Sequence, residues 1–236
     1  MALYIGTSGW AYPEWKPAFY PEGTRRDDFL RHYASVMGAC EINATFYRLQ
    51  SADTMAKWAA QVPEDFRFVV KAHRRLTHSA DGGGDGAFLE AFLDSLSPLD
   101  GRLGAILVQF PQTRQLDLAL MRRLVEPFAR AAPVAVEFRH DSWNTPQVRA
   151  ALAAAGATVC LADTGGSPPA EFPSGPLTYV RLRGERYDDA TRGAWLAALR
   201  ERAEHGPVFA FAKHEGVPAG DPNAGVSMAE WMASAG

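Results

Sequence analysis

Eight short β-rich runs, at residues 3–6, 39–43, 66–71, 105–110, 134–139, 158–163, 178–183 and 207–213, alternate with longer helical patterns along the whole chain. Such alternation marks successive βα units on a parallel sheet, and eight is the number that closes a (β/α)8 barrel. The helical patterns fall at 25–36, 52–61, 86–96, 116–131, 146–155 and 190–204, with a short last one from Ser227. Asp53, Thr54, Asp117 and Thr145 suit helix starts, and Gly156 and Gly206 suit helix ends. The length of 236 residues is what one α/β barrel requires. No fixed-period repeat and no Pro/Gly/Ser-rich linker divides it, so the expectation is a single TIM-barrel-like domain over residues 1–236.

Side chains alternate faces along a strand, which turns the sequence into a site map. Glu41 and Asn43 share a face, as do Glu137 and Arg139, and Arg181 and Arg183. The residues between them, Ile42, Phe138 and Leu182, belong against the helices, so the polar pairs point into the barrel. The same reasoning is expected to turn Asp163 inward and leave Cys40 and Cys160 outward as buried, reduced thiols between sheet and helices. Lys71 and Gln109 close their strands at the mouth, while the facing of Lys213 is not fixed by its run. All of these lie at the C-terminal ends of strands, where barrel enzymes carry their chemistry. A purely structural network of glutamates neutralising Lys71, Arg139 and Arg181 is the competing reading.

Trp10, Tyr12, Trp15, Phe46, Tyr47 and Trp143 cluster after strands one, two and five, either as stacking platforms or as core under the loops. His73, His78, His140 and His214 follow strands three, five and eight, but no HExxH or CxxC spacing joins them. No cofactor is expected, and a divalent metal on those histidines stays an open alternative. GTSGW is not the GxSxG of a nucleophile elbow, which leaves Ser8 as a loop hydroxyl. The glycine-rich 81–86 lacks a P-loop lysine and reads as a turn. The loops at 10–24 and 163–176 are long enough for lids.

The net charge of −3 and a pI near 6.1 give no whole-chain attraction to nucleic acid or to an anionic membrane. The N-terminus has neither a basic n-region nor a long apolar stretch, so the expected location is cytoplasmic, with no membrane association.

In order along the chain, GTSGWAYPEWKPAFYP, EINATFYRL, FVVKAHRRLTH, LVQFP, VEFRHDSW and YVRLRG resemble the segments of the domain of unknown function 72 family. The resemblance covers nearly the whole chain. It implies a TIM-barrel-like fold and carries over Glu41, Asn43, Thr45, Tyr47, Lys71, Gln109, Glu137, Arg139, Trp143 and Arg181 as site positions, but no reaction. The chain departs from that pattern at Arg183, where the family has histidine, and at Ala212, Lys213 and His214, where it has a pair of asparagines. Asn223-Ala224 is similar to the family's ending.

These residues suggest an enzyme working by acid–base chemistry, hydrolysis or isomerisation, on a small anionic, phosphorylated or sugar-like substrate. Glu41, Glu137 and Lys71 are its catalytic candidates. Asn43, Tyr47, Gln109, Arg139, Trp143, Asp163 and Arg181 are its binding candidates. Counting Lys71, Arg139, Arg181, Arg183 and Lys213 against Glu41, Glu137 and Asp163 gives the mouth a positive excess, on which the expectation of an anion rests. The rival is a non-catalytic binder of a metabolite or a nucleic acid, with Arg25, Arg26, Arg74, Arg75 and Arg186 extending the charged surface; salt-sensitive binding would mark the nucleic acid.

Overall fold

The computed structural model describes residues 2–235 apart from 80, 81, 83, 85, 214 and 215. His214, Glu215 and part of the glycine-rich 81–86 segment therefore lie outside the described residues. The eight sequence runs become nine parallel strands: β1 (Leu3–Ser8), β2 (Ala39–Ile42), β3 (Arg67–Lys71), β4 (Leu103–Phe110), β5 (Val134–Phe138), β6 (Ala157–Val159), β7 (Leu161–Asp163), β8 (Thr178–Leu182) and β9 (Val208–Ala212). Their order is β6-β5-β4-β3-β2-β1-β9-β8-β7.

The ninth strand arises because the sixth run changes partners halfway. β6 pairs with β5 as far as Val136 and Val159, and the Cys160 amide donates to the Val136 carbonyl. From Leu161 onward the chain pairs with β8 instead. This switch wraps the sheet into a nearly closed barrel, and it leaves the far end of β5, at Glu137 and Phe138, without a ladder partner on that side.

Helices cover the outside: α1 (Phe29–Ala34), α2 (Ala44–Tyr47), α3 (Ala52–Ala59), α4 (Arg74–Thr77), α5 (Ala87–Leu96), α6 (Leu118–Ala131), α7 (Pro146–Ala154), α8 (Asp189–His205) and α9 (Gly225–Ser234). Asp117 and Thr145 cap α6 and α7, accepting from the amides of Leu120 and Val148. On α3 the cap is Ser51, whose hydroxyl accepts from Thr54, so that helix starts just before Asp53. The helix expected at 25–36 is shorter, because a 3-10 turn at Arg26–Asp28 takes its first part. The short helices α2 and α4 directly follow β2 and β3 and roof the mouth.

Two apolar layers hold the fold. One lies between sheet and helices, and Cys40 and Ile42 belong to it. The other fills the barrel with Ala39, Val69, Ala105, Leu107, Ala135, Cys160, Tyr179, Phe209 and Phe211. Small residues on β2, β4 and β5 face the large rings of β8 and β9, which keeps the interior filled. Gly104 shows how tightly, since a Cβ there would lie 2.8 Å from the Phe209 ring. Removing that ring should cost about 3–5 kcal/mol.

Cys160 thus points into the barrel rather than toward the helices, a correction to the reading from alternation. Asp163 is corrected with it: its carboxylate accepts from the amides of Gly165 and Gly166 and from the Tyr187 hydroxyl, organising the turn after β7. The partner switch at Cys160 explains both. The side chain small enough for the interior sits at the switch, and the acidic one serves the loop beyond it.

Candidate functional site

Above the apolar interior, five of the strands continue on the same face into a polar residue. Ala39 is followed two residues on by Glu41, Val69 by Lys71, Leu107 by Gln109, Ala135 by Glu137 and Tyr179 by Arg181. All five of these polar residues are buried. A ring of buried charge is costly unless every member is paired, so the pairing decides what the site can do.

Arg181 is the hub. Its Nη2 donates to Glu41 Oε1 at 2.8 Å and its Nη1 to Glu137 Oε2 at 2.5 Å. Glu41 also accepts from Ser8 at 2.7 Å, from Tyr179 at 2.8 Å and from Arg183 at 3.3 Å. Burial alone would raise the Glu41 carboxyl, but Arg181 and Arg183 outweigh it and hold the group well below the usual carboxylate range. Glu137 takes Gln109 Nε2 at 2.6 Å and Arg139 Nε at 3.0 Å. Against burial, Arg181 and Arg139 hold it low as well. Both carboxylates are therefore saturated and anionic. Arg181 Nε and Asn43 Oδ1 are buried without a hydrogen-bond partner, the unsatisfied atoms of this region.

Lys71 is the exception in the ring. Its ammonium stands 4.1 Å from the centroid of the Phe46 ring, and among the described residues it has no hydrogen-bond or ion-pair partner. Burial and the charge of Arg181 push its pKa down to about 8, against the upward pull of Glu41 and Glu137. Thr45 fixes the backbone beneath it, its hydroxyl lying 2.7 Å from the Lys71 carbonyl and 2.9 Å from that of Ile42. Ile42 pairs with Val70 in register, so Asn43 and Lys71 are neighbours at the strand ends.

The surroundings of Lys71 are cationic. His78 packs edge-on against Phe46, ring centroids 5.0 Å apart. Burial first, and then Lys71, Arg74, Arg139 and Arg114, lower its pKa to about 4, so it stays neutral. Arg139 spends only its Nε on Glu137; with 53% of its side chain exposed, its terminal nitrogens have no partner among the described residues. It borders a cavity of about 540 Å3, lined also by His140, Trp143, Cys160, Phe172 and Ser174, at the place where β5 loses its ladder partner. Of three larger cavities, those of about 690 Å3 beside α5 and α6 and about 660 Å3 at the N-terminal end of the barrel are walled mainly by aliphatic side chains, and an open one of about 610 Å3 lies between Pro21 and Ser35 at the start of α1.

The structure thus brings Glu41, Asn43, Lys71, Gln109, Glu137, Arg139 and Arg181 to one end of the barrel. Tyr47 sits at the end of α2, 70% exposed, with its ring edge-on to Phe46. Trp143 is buried instead of presented: it stacks on Phe110 and Phe138 at 4.8 and 4.6 Å and donates to the Arg114 carbonyl. Asp163 serves its own turn, and Lys213 folds back near Gly216. Without those two, Lys71, Arg139, Arg181 and Arg183 still outnumber Glu41 and Glu137.

Sequence reading passed over Ser8 and Tyr179, which both hold Glu41. Ser8 is no loop hydroxyl but the last residue of β1, in register with Glu41. Tyr179 lies two residues before Arg181, a signal that alternation could have supplied. Of the histidines, His73 and His140 accept backbone amides of Arg75 and Ser142, and His78 pairs with Thr77. Among the described residues, no group of three or more His, Cys, Asp or Glu is placed to hold a metal ion. Nor is any described helix long and apolar enough to cross a membrane.

Comparison with known proteins agrees with this geometry at the level of fold. A DUF72 family protein from Thermotoga maritima superposes with a TM-score of 0.80 at 23% identity, covering 100% of this chain and 98% of its own. One from Enterococcus faecalis gives 0.79 at 19% identity, with 98% and 94% covered. In sequence, the chain is 31% identical to UPF0759 protein YunF of Bacillus subtilis over 153 residues, 61% of this chain and 53% of that protein. It is also 31% identical to UPF0759 protein YecE of Escherichia coli over 111 residues, 47% of this chain and 38% of that protein. The matched stretches thus span about half or less of those relatives. The model for the family described as "Protein of unknown function DUF72" matches residues 4–233, and the chain belongs to that family.

Proposed function

We propose that the C-terminal mouth of the barrel is the active site of an enzyme that moves protons on a small anionic molecule. The amine of Lys71 is the group that exchanges the proton, and Arg139 holds the phosphate or carboxylate. The observation that carries this reading is the isolation of Lys71: an amine with a pKa lowered to about 8 and no polar partner among the described residues, set in a ring where every carboxylate is already taken. A base of that pKa is partly neutral at physiological pH, which is what general base catalysis requires. Isomerisation fits this better than glycoside hydrolysis. A glycosidase needs one carboxyl held protonated, and both carboxyls here are pulled the other way. Glu41 and Glu137 in this reading position Arg181, Arg183 and Arg139.

The test is solvent exchange. Phosphorylated and carboxylated hydroxycarbonyl compounds are incubated with the protein in D2O, and loss of carbon-bound hydrogen is followed by proton NMR. Exchange by the wild type that disappears in Lys71→Met, with the variant's melting intact, supports the assignment. Stabilisation by anions with no exchange across the panel would make the mouth a binding site alone.

A further inference from the structure

Among the described residues, the cations that pair in the buried ring and at its rim, Arg139, Arg181 and Arg183, are all arginines, and Lys71 is the amine beside them. The chain's lysines are Lys16, Lys57, Lys71 and Lys213, and Lys71 is the one inside the ring of buried charge. Arginine serves wherever that ring needs a permanent charge and a planar fork; an amine offers instead a lone pair for bond formation. Lys71 is also left unquenched. Glu41 and Glu137 are saturated by Arg181, Arg183, Arg139, Gln109, Ser8 and Tyr179, so neither is spare for the ammonium. Phe46 forms an apolar floor beneath Nζ, and the side-chain Oδ1 of Asn43, the residue that follows Ile42 as Lys71 follows Val70 across the strand pair, is buried without a donor.

We propose that Lys71 forms an imine with the carbonyl carbon of a small aldehyde or ketone bearing a phosphate or carboxylate, the anionic group lying against the free nitrogens of Arg139. This rests on the reading of the mouth as a proton-transfer site and names the chemistry by which it works. Neutral Nζ attacks the carbonyl carbon, a C–N bond forms, and the carbonyl oxygen takes a proton to give a carbinolamine. Nitrogen then expels that oxygen as water, leaving C=N. The balance is amine plus carbonyl giving imine plus one water, and the protonated imine restores the positive charge Lys71 carried. That charge withdraws electrons from the neighbouring C–H bond and makes its proton transferable.

The experiment is reductive trapping. The full chain is incubated at pH 7.5 with pyruvate, glyoxylate or dihydroxyacetone phosphate, or with acetone as the neutral control. It is then reduced with sodium borohydride and mapped by peptide mass spectrometry. The expected result is an adduct on Lys71 exceeding those on Lys16, Lys57 and Lys213 by about tenfold or more, because the lowered pKa leaves more neutral amine there. Lys71→Arg should lose it, and Arg139→Ala should lower trapping of the anionic carbonyls toward the acetone level. Even labelling of the four lysines, or the same adduct pattern in Lys71→Arg, overturns the proposal. Lys71-dependent deuterium exchange without any trapped adduct overturns the imine and leaves proton transfer standing, whereas loss of both removes the whole reading.

Discussion

The ammonium of Lys71 rests 4.1 Å over the ring of Phe46, a contact worth far less than the carboxylate partner a buried lysine ordinarily has. The cost falls on the charged form. With a folded pKa of about 8 against ~10.4 in the unfolded chain, the unfolded state holds more protons between those values, so stability climbs as pH rises through that window. The penalty is fully present below pH 8. Lys71→Met should therefore stabilise the protein at pH 7 by about 1–2 kcal/mol, and the gain should fade toward pH 10. Urea denaturation at pH 7 and pH 10 measures both. A variant less stable than wild type at pH 7 would mean the ammonium is favourably paired.

Glu41 gives the opposite pH dependence. Its folded pKa is depressed, so its contribution is present above its unfolded pKa of ~4.3 and is lost as pH falls below that value. Glu137 acts in the same direction. Acidification below about pH 5 should steepen the loss of stability. Glu41→Gln should destabilise by about 3–5 kcal/mol at pH 7, because it leaves Arg181 half-paired in the interior. The difference between wild type and Glu41→Gln should shrink in urea denaturation at pH 4. An equal difference at both pH values would show that hydrogen bonding, not charge, carries the contribution.

Much of this was legible in the sequence, and the limits are physical. Strand alternation brings Glu41, Gln109, Glu137 and Arg181 to one face because each of these residues is still held in register by a neighbouring strand, Glu41 by Ser8 and Val69, Gln109 and Glu137 by each other, and Arg181 by Phe211. It fails at Cys160, where the chain leaves β5 for β8 and the rule loses its reference. It could gather the charges but not pair them. That Arg181 spans both glutamates and leaves Lys71 alone depends on side-chain reach in three dimensions. The burial of Trp143 was hidden for a similar reason, since its stack with Phe110 and Phe138 joins two strands and the turn after the second.

The thiols test the corrected placement. Cys40 lies between sheet and helices and Cys160 inside the barrel, both buried and free. Burial raises both thiols, and at Cys160 Glu137 adds to it. Alkylation under native conditions should be slow at both positions and keep pace with global unfolding. Rapid modification of Cys160 alone, followed by peptide mapping, would mean that the 540 Å3 cavity admits reagent to the barrel interior.

Arg139 tests the sign of the ligand most directly, because it can be removed without dismantling the hub. Its pair with Glu137 is half exposed and contributes little to stability, whereas Arg181 is buried and indispensable to both glutamates. The free terminal nitrogens of Arg139, with Lys71 nearby and His78 kept neutral by its cationic neighbours, form an anion-attracting rim. Phosphate or sulfate should raise the melting temperature of the wild type. At a ligand concentration of ~100 Kd the gain is about 2.7 kcal/mol, several degrees for a chain of this size. Arg139→Ala should abolish most of that shift. Arg102→Ala, which removes an arginine just before β4, at the opposite end of the barrel where it donates to the Pro63 carbonyl, should leave it unchanged. If both variants lose the shift equally, the anions act on the protein's overall charge, and the mouth has no special claim on them.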